Sequence, residues 1–315
     1  MNILTFDIEE WYLQKKYLGN RADKYVEYDR YLGRILDALD EWALKGTFFC
    51  LGGMGRNFSE VIQKIDERGH EVGCHSDQHL WLNKMTRQEV EEDTHRAVDS
   101  LEQCLGKKIK SFRAPAFSIG EQNKWAFEVL AKNGIERDAS VFPVARDFGG
   151  FPNFGQKTPT LVRLGDVTLK EFPICTTRIL GHELAYSGGG YFRFFPLWFV
   201  KQQMRKTNYS MTYFHIGDLL PETNAVKSKS EYEEYFKEPG TLKNRYIRYV
   251  KSNLGKKHTM SKLLKLIATV DFINLEQADQ QTDWSKVPVV SWDTPAFDYS
   301  RNNAIDELAS LNTDS

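Results

Sequence analysis

Cysteine is scarce and scattered: Cys50, Cys74, Cys104 and Cys175 are the only four in 315 residues, and no C-x-x-C pair occurs. That excludes a disulfide framework and a zinc ribbon, and it suits a reducing compartment. Long apolar runs are missing as well. Leu263–Val270 contains a lysine and falls far short of the roughly 20 residues a membrane-spanning helix needs. The opening MNILTFDIEE carries an acid at its seventh residue and has neither the basic start nor the apolar core of a secretory signal, so a cytoplasmic location is expected. Nor is there an excess of positive charge. Lys+Arg 42 against Asp+Glu 43 leaves −1, which argues against a global footprint for nucleic acid. No internal repeat or low-complexity tract is evident. What remains, 41% hydrophobic and 13% aromatic residues, is enough for a sizeable core and excludes disorder as the main state.

Short β-rich runs alternate with helical patterns. Strands are expected at Asn2–Phe6, Thr47–Leu51, Glu71–Cys74, Lys110–Arg113, Ile135–Asp138, Leu169–Ile174 and Ser210–Phe214. Between them, Tyr31, Leu32, Ile35, Leu36, Leu39 and Trp42 recur at helical spacing within Tyr28–Leu44. Further helices are expected at Ser59–Arg68, Asn123–Asn133 and Pro196–Lys206. Thr86 with Glu89 makes a capping box that opens another. Asp147–Pro159, rich in Gly, Pro and Phe, reads as an ordered surface loop. About seven β/α units by residue 215 give an α/β fold, a distorted (β/α)7-type barrel over residues 1–220. Residues 221–315 read as a mainly helical C-terminal extension packing on the same domain, with Met260–Ile273 an amphipathic helix and a polar, frayed tail after Asn302.

Position then becomes informative. Asp7 and Glu9 follow the first strand, and His75 and His79 the third; Arg113 and Asp138 end the next two, and His215 follows the last. In a parallel α/β barrel the C-terminal strand ends share one mouth, so these side chains are expected on one rim. Singly, each has an ordinary structural explanation, such as a solvated acidic loop or a satisfied core histidine. Together, two neutral imidazoles and a carboxylate suit zinc or a similar divalent ion. A second acid could take a proton from water, and a histidine opposite could protonate a leaving amine.

TFDIEE (Thr5–Glu10), GTFF (Gly46–Phe49), HSDQH (His75–His79), RAPAF (Arg113–Phe117), DAS (Asp138–Ser140) and YFH (Tyr213–His215) stand in the order of the motifs of the polysaccharide deacetylase family. The chain thus resembles the chitooligosaccharide-deacetylase-like group, carbohydrate esterase family 4, over roughly residues 1–220. GGGYFRFFP (Gly188–Pro196) further resembles a subgroup associated with exopolysaccharide gene clusters. The resemblance implies Asp7 as general base and Glu9, His75 and His79 as ligands of a divalent metal, zinc first, with cobalt or nickel as alternatives. It implies Arg113 as the residue orienting the base, the Ala116 N–H as an oxyanion donor, His215 as general acid and Asp138 as the residue orienting His215. The family's adjacent aspartates are here Asp7-Ile8-Glu9, so base and ligand could be exchanged between Asp7 and Glu9, with Glu10 a third candidate.

The implied reaction is hydrolysis of the N-acetyl group of an amino sugar within a polysaccharide or its biosynthetic intermediate. The substrate partner is therefore an N-acetylated saccharide; a nucleotide-linked sugar, a lipid-linked oligosaccharide or a nascent repeat unit would suit a cytoplasmic enzyme. The alternatives are an amidohydrolase acting on a small non-sugar amide, or a carbohydrate-binding protein with a degenerate site. Trp11, Phe117 and Tyr191 could wall a sugar ring or be ordinary core aromatics. Gly188–Gly190 is expected to form a rim loop shaping the groove, with His182 beside it but ranked below His215. His70, His95 and His258 read as ordinary surface or helix positions. Charged, tyrosine-rich Lys227–Lys257 reads first as a solvated helical face, with peripheral membrane contact as its alternative.

Overall fold

Thr5–Ile8 (β1) and Thr47–Cys50 (β2) are buried at every position, the pattern of parallel strands covered on both faces. They belong to a nine-stranded sheet of a computed structural model that describes residues 1–19, 21–146, 149–221, 225–236 and 238–292. The other strands are Glu71–Cys74 (β3), Ser111–Phe112 (β4), Arg137–Asp138 (β5), Thr160–Leu164 (β6), Val167–Glu171 (β7), Phe214–His215 (β8) and Val289–Trp292 (β9). Their spatial order is β8-β1-β2-β3-β4-β5-β7-β6-β9. Every pairing from β8 to β7 is parallel; β6 then runs antiparallel to β7, and β9 pairs in parallel with β6.

The seven parallel strands are the positions of a distorted barrel, and side chains rather than a ladder close it. Beyond β7, the N–H groups of Phe172 and Ile174 bond to the carbonyls of Asp138 and Val141, both at 2.8 Å. Cys175 Sγ then reaches the carbonyl of Met211 at 3.3 Å, and the Tyr209 hydroxyl donates to the carbonyl of Pro173 at 2.6 Å. Opposite this seam, Asn2–Ile3 pairs in parallel with Ser210–Met211. The first strand, expected as one piece at Asn2–Phe6, is therefore in two segments. Thr212 interrupts the ladder, because its Oγ1 accepts the Thr5 N–H at 3.1 Å in place of a carbonyl. Leu4 donates instead to the carbonyl of Ile273 in the C-terminal part at 3.1 Å.

Helix Glu10–Leu18 (α1) starts immediately after Glu9, where the acidic run reads as a loop. Ala22–Glu41 (α2) begins six residues before its apolar stripe and buries Tyr31, Leu32, Ile35, Leu36 and Leu39 as its spacing requires. Arg87–Leu105 (α3) opens on the Thr86/Glu89 capping box. Beyond residue 221, Leu242–Asn253 (α5) and Thr259–Ile267 (α6) follow Leu197–Lys206 (α4), which starts after Pro196. The extension also supplies β9, a strand its helical composition hid, and Trp292 stacks on Phe127 and Phe151. The hairpin Thr176–Ile179/His182–Ala185 is likewise unheralded, and His182 is exposed on it. In the Asp147–Pro159 segment Phe151 and Phe154 are buried. Residues 147–148 and the tail after Asn302 lie outside the described residues. No described helix is long and apolar enough to cross a membrane.

Candidate active site

Strand period and register assemble the site. Thr5, Asp7 and Glu9 are two residues apart along an extended segment and so share a face. Asp7 is the direct register partner of His215 on β8, which places the two side chains side by side. Arg113 leaves β4 and turns inward; it is fully buried, with Nη1 donating to Thr5 Oγ1 at 2.7 Å and to Asp7 Oδ1 at 2.8 Å. Its guanidinium lies 4.3 Å from the centre of the Phe49 ring, and Nε donates to the carbonyl of Ala139 at 3.2 Å. A short polar side chain could not make all of these contacts from the end of β4.

His75 and His79 occupy the turn after β3, with Ser76 and His79 both in the left-handed region at φ 68° and 59°. The two imidazoles converge on Glu9: His79 Nε2 is 2.7 Å from Glu9 Oε2, and His75 Nε2 is 3.4 Å from it. The Nδ1–H of His75 donates to the carbonyl of Arg113 at 2.7 Å, which fixes the tautomer that turns an Nε2 lone pair toward Glu9. Among the described residues these three form the one group of ligand atoms gathered closely enough to hold a metal, all within 4.8 Å of one another. Glu9 Oε2 is buried and makes no hydrogen bond of proper geometry despite those two nearby nitrogens. An orphaned carboxylate oxygen facing two imidazole nitrogens fits a divalent cation of zinc type. Burial opposes the charge of Glu9, but His79 and His215 outweigh it and hold the carboxyl well below its ordinary range.

His215 Nε2 is 3.6 Å from Asp7 Oδ2 and 3.9 Å from Glu9 Oε1. Its other nitrogen, Nδ1, is bonded to Asp218 Oδ2 at 3.0 Å, and Arg193 Nη1 sits 3.0 Å from Asp218 Oδ1. Burial works against the imidazolium, yet Glu9, Asp218 and Asp7 together push His215 up to about 10.

The expectation that Asp138 orients His215 is therefore corrected: Asp218 makes that contact. Asp138 lies one strand beyond Arg113's, fully buried, accepting from Ser140 Oγ at 2.6 Å. Ser140 Oγ in turn accepts the Ala114 N–H at 2.8 Å, so Asp138 braces the loop that carries Arg113 and Ala116. Its neighbour Glu171 is driven well above the usual carboxylate range, first by burial and then by the Asp138 charge. Asp218 could have been found as the acid three residues after His215, entering the short helix Ile216–Leu219.

Ala116 sits in the left-handed region (φ 54°, ψ 17°) on the turn after Arg113. Glu10 is turned away from the trio and accepts the Gly217 N–H at 2.5 Å; burial, then the adjacent Glu9, raises it to about 7. Trp11 is a core residue packed on Tyr28, whereas Phe117 packs edge-on against Tyr213. Gly188 and Gly189 are not an open rim loop. Both are buried against Tyr213, and a Cβ on Gly188 would stand 2.1 Å from the Tyr213 carbonyl oxygen. The glycines let backbone press on the strand that carries His215.

Residues 3–137 match the family profile described as polysaccharide deacetylase, and residues 139–280 match a second, described as a domain of unknown function (DUF3473). The chain is 34% identical over 91 residues to the uncharacterized protein YlxY of Bacillus subtilis, covering 29% of this chain and 28% of that protein. It is 30% identical over 115 residues to a peptidoglycan-N-acetylglucosamine deacetylase of Bacillus cereus, covering 35% of this chain and 42% of the other. The chain thus spans less than half the length of these relatives. A crystal structure from Mycobacterium smegmatis, assigned to the polysaccharide deacetylases, aligns over 93% of both chains with a TM-score of 0.59 at 18% identity, which shows a common fold. On the sequence match, residues 3–137 are a polysaccharide deacetylase family domain.

Proposed function

We propose that the protein is a metal-dependent hydrolase that removes acetyl groups from N-acetylated amino sugars of a polysaccharide or its biosynthetic intermediate. The observation that carries this reading is the meeting of Glu9, His75 and His79 beside Asp7 and His215. The names of relatives point the same way: deacetylases of peptidoglycan in Bacillus cereus and of chitooligosaccharides in Sinorhizobium fredii.

Glu9, His75 and His79 would hold the cation, zinc first. When bound, it supplies Lewis-acid polarisation of the acetyl carbonyl and acidification of a water molecule. Asp7, held by Arg113, which is itself bonded to Thr5 Oγ1, would take the proton from that water. The Ala116 N–H, on the turn braced by Asp138 and Ser140, is the oxyanion donor. His215, with Nδ1 bonded to Asp218, presents Nε2 to the same space and delivers a proton to the departing amine. This division makes Glu9 a ligand and Asp7 the base. A reducing, cytoplasmic setting belongs to the same proposal; it is supported by the four unpaired cysteines, of which Cys50 and Cys74 face each other across β2 and β3 without a disulfide.

Acetate release from a panel of N-acetylated oligosaccharides and small acyl amides tests the reading, with protein reconstituted with zinc or cobalt. We expect acetate from saccharides alone, its loss in His79→Ala, and about one ion per chain. Activity only on non-sugar amides would reassign the substrate. A stoichiometry near zero after metal is supplied would mark a binding protein instead.

A further inference from the structure

Charge is distributed unevenly along this nearly neutral chain. Residues 239–270 contain eight lysines and arginines and no acid, and residues 184–217 contain four and no acid. The two stretches meet in space. Arg193 donates to the carbonyls of Lys251 and Ser252 at the end of α5, both at 2.8 Å, and the Lys262 ammonium on α6 bonds to the carbonyls of Phe192 and Phe195.

On this basic ground lies an apolar surface. α5 has no buried residue. Leu242, Tyr246, Val250 and Leu254, each four apart, form one exposed stripe with Ile247 beside it. On a helical wheel Lys243 and Lys251 fall within and beside that arc, while Arg245 and Arg248 lie on the opposite, half-buried side. Next to the end of α5, Phe194 and Trp198 stand 66% and 67% exposed. These rings are not on a loose loop, because Lys262 and Arg193 tie down the turn on both sides of Phe194. Rigid presentation of two aromatic rings and an aliphatic stripe to water is costly for a protein that needs them only for its own core.

We propose that α5, with Phe194 and Trp198, is a membrane-docking face for a bilayer rich in anionic lipid. Apolar side chains interleaved with lysines, with aromatic rings at the edge and no acid on the helix, match the chemistry of a headgroup–acyl boundary. An acidic protein surface would complement the charge but not the five exposed aliphatic and aromatic side chains along and just past α5. Arg193, which anchors the end of α5, also contacts Asp218 behind His215. The docking face and the His215 side of the site are thus tied together through one arginine. The face itself is argued from exposure and charge alone and stands independently of the catalytic reading.

Co-sedimentation of the full chain with vesicles of phosphatidylcholine alone, or with phosphatidylglycerol added, tests this. Binding is expected to the anionic vesicles only, and to weaken more than about tenfold in high salt, as screened charges require. F194S/W198S and K243E/K251E should each weaken it by a similar factor while leaving acetate release from a soluble oligosaccharide unchanged; all four side chains are at the surface, and unaltered thermal melting checks folding. Absence of binding to anionic vesicles, or equal binding by wild type and both double variants, overturns the proposal. So does a concentration-dependent dimer, seen by sedimentation velocity without vesicle binding and abolished by both variants, which would make a second copy of the chain the occupant.

Discussion

Replacing Asp218 with Asn should lower kcat by about 10–100-fold and leave metal content and KM nearly unchanged. Asp218 touches neither the metal-capable trio nor the space in front of it, yet one of its oxygens is 3.0 Å from His215 Nδ1 and the other 3.0 Å from Arg193. A hydrogen bond to a charged group is worth about 1.5–3 kcal/mol. Asn keeps the shape and can still accept, but it lacks the charge that favours the imidazolium and can equally turn its amide N–H to the ring. Losing about that much stabilisation of the proton donor corresponds to roughly one to two powers of ten in rate. Steady-state acetate release from an N-acetylated oligosaccharide, with bound zinc measured on the same samples, gives the comparison. Asp138→Asn is the internal control: its effect should appear as lost stability, since Asp138 holds the Arg113–Ala116 turn through Ser140. A kcat within twofold of wild type in a zinc-replete Asp218→Asn sample would refute this account of His215. So would a selective kcat loss in Asp138→Asn with Asp218→Asn silent.

Arg113→Met leaves buried Asp7 with only His215, 3.6 Å away, as a cationic partner, which should cost about 3 kcal/mol in urea unfolding; adding Asp7→Asn should recover part of it, because the poorly compensated charge is then gone. Gly188→Ala places a Cβ 2.1 Å from the Tyr213 carbonyl oxygen and should cost about 2 kcal/mol or more as well as activity, whereas Gly190→Ala, whose Cβ meets only the end of Arg193, should be near neutral. His70 supplies a pH test away from the catalytic centre. Burial first, then nearby Lys45, pushes it down to about 4. Between pH 6.5 and 4 the unfolded chain therefore binds the extra proton, so this contribution to stability is present above about 6.5 and fades as pH falls toward 4. With His70 buried, it should amount to about 1–3 kcal/mol, read as a wild-type minus His70→Gln difference that shrinks on acidification; a difference independent of pH would contradict it.

How legible this site was in the sequence depended on whether backbone or side-chain geometry decides a position. Asp7, Glu9, His75, His79, Arg113 and His215 could be placed together because parallel strands in register bring their C-terminal ends to one mouth; Asp7 opposite His215 and Cys50 opposite Cys74 are consequences of that rule. The α1 helix was missed because its start looks like a solvated acidic run, and β6 and β9 because they pair outside the ring, where no alternation with helices announces them. The orienting acid was misplaced for a different reason. Asp138 and Asp218 both lie just at the end of a strand or beyond it, and strand position alone makes them equivalent. What separates them is where each side chain finds a partner. Ser140, two residues on, captures Asp138 within its own loop, while the turn Ile216–Leu219 folds Asp218 back over the ring of His215, where Arg193 holds it from behind. That last residue belongs to the glycine-rich stretch and is itself braced by the end of α5. The proton donor is thus held by backbone carbonyls more than 30 positions away along the chain.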